Sequence, residues 1–259
     1  MKISRKYGFN RALHCGYIIA HENYIALFDL EGTSKKAFVY NSKTNKFKKS
    51  KINIPKENKV LVVEGRVYAI GLWRDDFSAK VLEDGGWKVG ANMSTVRDGA
   101  SVVAHGGKIY VFGGDPGNAT MSIHRTAEVY DPAKDEWESI PPMSTARYYA
   151  GAASLGGKIF VVGGRGLASG ECYVPKTKMW TRIPNMTDVK GIVEVVTING
   201  AIFVSDSDEI EKYSPKDNTW EKVKVNKESE DEEFEILAFC SLSKKYLPKN
   251  LFNMDNNNK

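Results

Sequence analysis

The side chains with the clearest chemical potential in this sequence are arginines that recur at matching places. Arg97 lies ten residues after Trp87, and Arg147 lies ten residues after Trp137. Arg11 stands at the same distance from the first residue. A guanidinium group can form two parallel hydrogen bonds with a carboxylate, and arginine is enriched where proteins bind one another. This chemistry favours recognition of another molecule.

Catalytic and metal-binding patterns are not found in the sequence. The glycine-rich run at 164–170 misses both the dinucleotide-binding pattern and the Gly-x-Ser-x-Gly nucleophile pattern by one position. The four histidines lack the paired spacing of metal ligands, and the three cysteines are far apart. We therefore expect a non-catalytic protein without a cofactor or a metal ion.

The elements that would position the arginines are clearest over residues 101–147. Two runs rich in Val, Ile and Tyr are separated by a Gly-Gly turn at 105–108, which predicts a hairpin. A third run ends at Tyr130, before an Asp-Pro turn. A fourth run begins at Trp137 and stops at the proline pair 141–142. Four short strands without a helical period predict one sheet, which must find neighbours to bury its faces.

The same unit recurs along the chain at spacings of 42 to 50 residues. Positions equivalent to Ile109 are Ile25, Val67, Ile159, Ile202 and, as a weaker match, Tyr246. A second register agrees, because an aromatic pair seven residues apart occurs at Tyr40 and Phe47, Tyr130 and Trp137, Tyr173 and Trp180, and Tyr213 and Trp220. The second repeat keeps Trp87, but the interval before this tryptophan is shorter than in the other repeats. Periods of this length indicate stacked units, propellers or arrays.

This unit resembles the kelch repeat, whose pattern is an apolar strand ending in Gly-Gly, a spaced Tyr and Trp, and a closing polar loop. The pattern is full in the units with glycine pairs at 113–114 and 163–164 and weaker in the others. The segment 142–147, Pro-Met-Ser-Thr-Ala-Arg, is similar to the C-terminal domains of BTB-kelch proteins. The resemblance covers nearly the whole chain and implies an all-β fold, a kelch β-propeller.

We predict one propeller domain over residues 1–250, followed by a polar tail at 251–259. Residues 1–10 match the last strand of a unit and residues 234–250 match the start of one, so we expect the termini to share a sixth blade. That blade is short of strands, which indicates either a three-stranded blade or a chain that is part of a longer protein. The five other repeats are predicted at about 11–52, 58–92, 98–142, 148–186 and 190–226.

In such a propeller, the loops after each second strand and the loops joining the blades lie at one mouth of the ring. Eight side chains of these loops are predicted to bind a partner: Arg11, Trp73, Arg74, Arg97, Arg125, Arg147, Tyr148 and Arg165. Arg97 and Arg147 match the arginine that follows the Met-Ser-Thr turn in BTB-kelch proteins. Trp73 is the only tryptophan outside the Tyr/Trp register.

The resemblance implies a protein-interaction module, the substrate-recruiting propeller of a cullin-linked ubiquitin ligase adaptor, whose mouth binds an acidic or otherwise specific segment of a partner. The sequence contains no BTB or BACK segment, so contact with a cullin would require such a region outside this chain. A cytoskeletal, actin-binding protein is the alternative, because the lysines at 43, 46, 48, 49 and 51 would suit an acidic filament. A solvated sheet edge is the favoured interpretation of those lysines. A kelch-fold enzyme is the third and least favoured hypothesis.

Composition is that of an ordinary globular protein, with 42% hydrophobic and 27% charged residues. No apolar run approaches the roughly 20 residues of a membrane helix, and the first residues lack the apolar core of a secretory signal. Three scattered cysteines indicate a reducing compartment. The net charge of +5 comes without a basic stripe interleaved with aromatic residues. We expect a cytoplasmic protein that binds neither nucleic acid nor membranes.

Overall fold

The computed structural model describes residues 18–21, 24–28, 36–41, 46–53, 55, 58–83, 86–117, 122–188, 191–206 and 209–223. Within these ranges the chain forms twenty β-strands and no helix. The predicted all-β class is confirmed. Residues 1–10 and 234–250, assigned to a shared sixth blade, and the tail at 251–259 lie outside the described residues.

Consecutive strands build five antiparallel sheets of four strands each. In chain order the strands are β1 Ile18–His21, β2 Tyr24–Phe28, β3 Lys36–Asn41, β4 Lys46–Asn53, β5 Asn58–Val63, β6 Arg66–Gly71, β7 Ser78–Glu83, β8 Gly86–Asn92, β9 Ser101–His105, β10 Lys108–Phe112, β11 Ala127–Asp131, β12 Glu136–Ile140, β13 Gly151–Leu155, β14 Lys158–Val162, β15 Gly170–Val174, β16 Met179–Ile183, β17 Glu194–Ile198, β18 Ala201–Asp206, β19 Glu209–Ser214 and β20 Thr219–Val223.

The chain divides into two compact units. One comprises Met1–Asn53 with Cys240–Lys259 and contains the sheet β1–β4, and the other, Ile54–Phe239, contains the remaining four sheets. Within the second unit, the first strands of successive sheets lie beside one another, β5 next to β9, β9 next to β13, and β13 next to β17. This side-by-side arrangement of four-stranded sheets is that of propeller blades.

Antiparallel order gives each sheet of the second unit two distinct ends. The hairpins between first and second strands and between third and fourth strands lie at one end, which we call the lower end. The loops between second and third strands, and the loops joining successive sheets, emerge at the opposite, upper end. At the lower end, a Cβ added to Gly107 would lie 2.7 Å from the carboxylate of Glu64, so turns of neighbouring sheets meet there.

The seven-residue aromatic register corresponds to cross-strand pairs. Tyr130 pairs with Trp137 across β11 and β12, with ring centroids 5.1 Å apart. The same pairing joins Tyr173 to Trp180 and Tyr213 to Trp220. Each indole also donates a hydrogen bond to a backbone carbonyl of the preceding blade, Trp137 to Ala91 over 3.0 Å, Trp180 to Pro141 over 2.8 Å and Trp220 to Pro184 over 2.9 Å. The register therefore ties neighbouring blades together.

The hydrophobic core of the second unit lies between adjacent sheets. Its most buried strands are the second ones, where Ile109 and Ile159 are fully enclosed. Tyr68 and Ile70 of one sheet pack with Ile109 of the next. Fully burying one such side chain contributes about 1.5–3 kcal/mol. Because the loops between second and third strands begin on these second strands, the packed core fixes the points from which those loops start.

Candidate partner-binding surface

Backbone hydrogen bonds join the upper loops of consecutive sheets. The amide of Asp98 donates to the carbonyl of Asp115 over 2.8 Å, and the reverse bond is 2.7 Å long. The amide of Tyr149 donates to the carbonyl of Gly99 over 2.7 Å, and that of Arg165 donates to Tyr148 over 3.1 Å. The side chains of these loops consequently form one continuous face, which we call the upper surface.

Trp73 and Arg74 project from a tight turn of this surface, between β6 and β7. The amide of Trp73 donates to the carbonyl of Asp76 over 3.0 Å, and the amide of Asp76 returns a bond of 2.9 Å. The indole is 40% exposed, and Arg74 is exposed beside it. A Cβ added to Gly117 would lie 3.0 Å from the Nε of Arg74, so this arginine extends over the next sheet's loop. An indole and a guanidinium side by side are typical of interaction hot spots.

A pair of tyrosines continues the upper surface toward the third sheet of this unit. The rings of Tyr148 and Tyr149 lie 5.0 Å apart, and both side chains are half-buried. Burial raises the pKa of Tyr149, and the negative charge of Asp98 raises it further. Tyr149 has a φ of 56°, and its ring packs against Gly99, where a Cβ would lie 2.9 Å from the ring. The ring of Tyr149 is therefore held in place, and its raised pKa keeps that phenol in the neutral form.

The prediction that Arg97 binds a partner is wrong. Its side chain is 1% exposed, and its Nε lies 2.9 Å from the Oε1 of Glu128. Its Nη1 donates to the carbonyls of Gly113 and Thr126, each over 3.0 Å. Burial lowers the pKa of Arg97, while the charge of Glu128 opposes that effect. The guanidinium is engaged in hydrogen bonds inside the protein, where it binds the backbone of the upper loop between β10 and β11.

Arg147 repeats this arrangement in the next sheet, and its predicted binding role is wrong for the same reason. The side chain is 1% exposed. Its Nη1 donates to the carbonyls of Gly163 and Ser169, each over 2.8 Å, and its Nη2 lies 3.2 Å from the Oε1 of Glu171. The sequence did contain a signal for both ion pairs. A glutamate stands two residues before the register tyrosine in each unit, and it supplies the buried counter-charge.

Of the other six predicted side chains, the half-buried Tyr148 lies on the upper surface, four are exposed and one lies outside the described residues. Arg125 and Arg165 are exposed on upper loops, as are Trp73 and Arg74, whereas Arg11 lies outside the described residues. Ile192, which sequence reasoning missed, is 61% exposed in the loop that joins β16 to β17. An isolated isoleucine carries no distinguishing motif, so its exposure could be found only from the fold.

Glu171 makes the stability of its blade dependent on pH. Burial alone would raise the pKa of Glu171, but hydrogen bonds from Ser144 and the charge of Arg147 outweigh it and hold the pKa below its ordinary value. A lowered pKa contributes stability that is present above the unfolded value, about 4.5, and is lost as the pH falls through the lower folded value. We expect Glu171→Gln to flatten the dependence of the unfolding free energy on pH between about 5 and 3.

Urea titrations of the wild type and Glu171→Gln across that range measure the effect. Glu138→Gln is the matched control, because Glu138 meets Lys178 in an exposed pair at 3.2 Å. Identical pH dependence for the wild type and Glu171→Gln would contradict the lowered pKa assigned to Glu171.

The described part of the chain contains no candidate metal-binding site. No group of three or more His, Cys, Asp or Glu residues there could hold a metal ion. Cys172 is a buried free thiol, and burial raises its pKa. The same ranges contain no helix with the length and apolar character needed to cross a membrane.

The sheets and their aromatic cross-links define the blades of a β-propeller. Residues 97–144 and 146–187 match the Kelch motif. These segments include the sheets β9–β12 and β13–β16, so the chain contains two adjacent kelch repeats. No match was found among curated proteins. Kelch repeats generally mediate protein–protein interactions and are generally not catalytic.

Proposed function

We propose that the upper surface binds a protein partner. The carrying observation is the turn at 73–76, which exposes Trp73 and Arg74 while its backbone is closed by two hydrogen bonds. An exposed indole on an ordered turn loses little conformational freedom on binding, so more of its interaction energy appears as affinity. The continuity of the surface through Asp98, Asp115 and Tyr148 gives a partner area to cover.

An acidic segment of the partner is the chemistry that the exposed arginines favour. Arg74, Arg125 and Arg165 are exposed, and each guanidinium can donate two parallel hydrogen bonds to a carboxylate. The nearby Asp115 carboxylate accepts a hydrogen bond from the backbone amide of Gly117 over 2.7 Å, so one of its oxygens is already engaged within its own loop. Within this proposal the protein is a substrate-recognition propeller of a kelch-like ubiquitin ligase adaptor in the cytoplasm. It would reach a cullin only through a BTB region outside this chain.

Actin binding is the second candidate, and the position of four lysines favours it. Lys46, Lys48, Lys49 and Lys51 all lie on β4, the last strand of its sheet. A lysine-rich edge strand would suit an acidic filament, although lysine on an edge also prevents sheets from pairing with one another. The identity of a captured partner separates these two functions.

Affinity capture with matched variants tests the proposed surface. Trp73→Ala combined with Arg165→Ala is expected to lose at least about 2 kcal/mol of binding energy, because two hot-spot residue types are removed from the surface. Partners retained by the wild type are identified by mass spectrometry, purified, and titrated against each variant.

The control variant changes the lower end instead. Lys134→Ala combined with Lys176→Ala removes two exposed lysines from the turns between third and fourth strands. It should bind like the wild type. Loss of binding by the lower-end variant alone would overturn the proposal. Filament cosedimentation that is abolished by reversing the charges on β4 would favour actin.

A further inference from the structure

One blade carries its buried charge with the opposite sign. The third strands of three sheets place a buried glutamate opposite a second-strand valine: Glu128 faces Val111, Glu171 faces Val161 and Glu211 faces Val204. In the sheet β5–β8 the corresponding pair is Lys80 and Ala69. Lys80 is buried as well. A buried ammonium in place of a carboxylate requires a different counter-ion from a different part of the blade.

The counter-ion of Lys80 comes from the loop that carries Trp73. In the sheets of Glu128 and Glu171, the counter-ion is an arginine of the loop joining two blades. The Nζ of Lys80 instead bonds both carboxylate oxygens of Asp76, with 2.5 Å to Oδ2. Inverting the sign therefore moves the internal ion pair from the joining loop to the turn at 73–76.

Asp76 is held by side chains from several directions. The Nδ2 of Asn58 donates to its Oδ2 over 3.1 Å, and the Oγ of Ser78 donates to its Oδ1 over 2.9 Å. Burial alone would raise the pKa of Asp76, but the hydrogen bonds from Lys80, Asn58 and Ser78 outweigh it and keep the pKa below its ordinary value. The same residue closes the turn through its backbone amide and carbonyl, which pair with Trp73. Asp76 thus links the exposed indole to a buried cation.

We infer that Asp76 and Lys80 are positioning residues that hold the Trp73–Arg74 turn in its binding conformation. This inference rests on the proposed function, and it adds which residues keep the turn at 73–76 in one conformation. The ion pair fixes the residue at which the turn closes, so the indole and guanidinium are presented before a partner arrives. Preorganisation of this kind improves affinity by reducing the ordering cost of binding.

Hydrogen exchange of the full chain tests the positioning directly. Asp76→Asn combined with Lys80→Met removes both charges, so neither is left buried without its partner. The amides of Trp73 and residue 76, which bond across the turn, are expected to exchange at least about tenfold faster, as befits local opening. The amides of Tyr68 and Ile70 in β6 should keep their protection. Unchanged exchange at Trp73 and residue 76 would overturn the inference.

The control is an ion pair of the same sheet that is remote from the turn. Arg66 and Glu83 lie 3.3 Å apart at the lower end, and both are exposed. Arg66→Gln combined with Glu83→Gln should leave exchange in the turn unchanged. Faster exchange at Trp73 in this control as well would show a general loosening of the sheet and would also overturn the inference.

A double-mutant cycle on partner affinity separates positioning from general destabilisation. If the ion pair acts through Trp73, Trp73→Ala will cost much less affinity in the Asp76→Asn/Lys80→Met background than in the wild type. Additive losses would contradict positioning. Failure of the proposed function has a different signature, namely no partner retained by the wild type, and the exchange experiment still decides whether the ion pair holds the turn.

Discussion

Arg147→Met is expected to lower the free energy of unfolding by about 3–5 kcal/mol. The substitution leaves Glu171 buried and charged without its cation, and it removes the donors to the carbonyls of Gly163 and Ser169. Those carbonyls belong to the upper loop between β14 and β15. The loss should therefore combine a buried unpaired charge with a loop that is no longer held from below.

Urea denaturation followed by tryptophan fluorescence measures this loss. Arg165→Met is the control, because Arg165 is exposed on the same loop, and its effect should stay within about 0.5 kcal/mol. Adding Glu171→Gln to Arg147→Met should recover part of the loss, since the buried negative charge is then removed. An Arg147→Met effect as small as that of Arg165→Met would contradict the buried ion pair.

Gly113→Ala is expected to destabilise the protein by about 2–5 kcal/mol, from left-handed backbone strain together with steric overlap. Gly113 has a φ of 70°, and a Cβ there would lie 2.2 Å from the carbonyl oxygen of Arg147. That oxygen cannot easily move away, because it accepts the amide of Gly114 over 2.8 Å. Packing of two blades against each other therefore requires glycine at this position.

Gly156→Ala is the matched control for this substitution. Gly156 has a φ of 59°, and a Cβ there would meet no atom within 4 Å. Only the left-handed strain applies, so the cost should be about 1–2 kcal/mol. Comparison of the two urea midpoints isolates the steric part. Equal losses for both alanine variants would contradict the close approach of the neighbouring blade.

The blade architecture could be predicted from the sequence because its signals are local and repeated. Tyr130 and Trp137 are cross-strand partners in a hairpin, and the length of that hairpin fixes their spacing of seven residues. The glycine pairs mark left-handed positions next to a neighbouring blade, as at Gly113. In the sheet β5–β8, Leu82 is the cross-strand partner of Trp87, and the shorter hairpin between β7 and β8 brings the two residues closer in sequence.

The roles of the arginines could not be predicted from their own spacing. Arg97 and Arg147 occupy loops, and arginine in loops is mostly exposed. Their burial depends on Glu128 and Glu171, which lie 31 and 24 residues further along the chain. Such pairing is set by the fold, whereas the recurrence of arginine after Met-Ser-Thr is compatible with an internal or an external role. The spacing correctly marks Arg97 and Arg147 as equivalent positions, but the side chains expected on the exposed face of the loops are buried beneath them.

Site-specific photocrosslinking is the most direct test of the central claim that the upper surface binds a protein. A photoreactive phenylalanine is placed at position 148 or 165 on the upper loops and at position 134 or 176 on the lower turns. We predict that the same captured protein crosslinks from both upper positions and from neither lower position. Crosslinks confined to the lower positions would contradict the assignment of the upper surface as the partner-binding site.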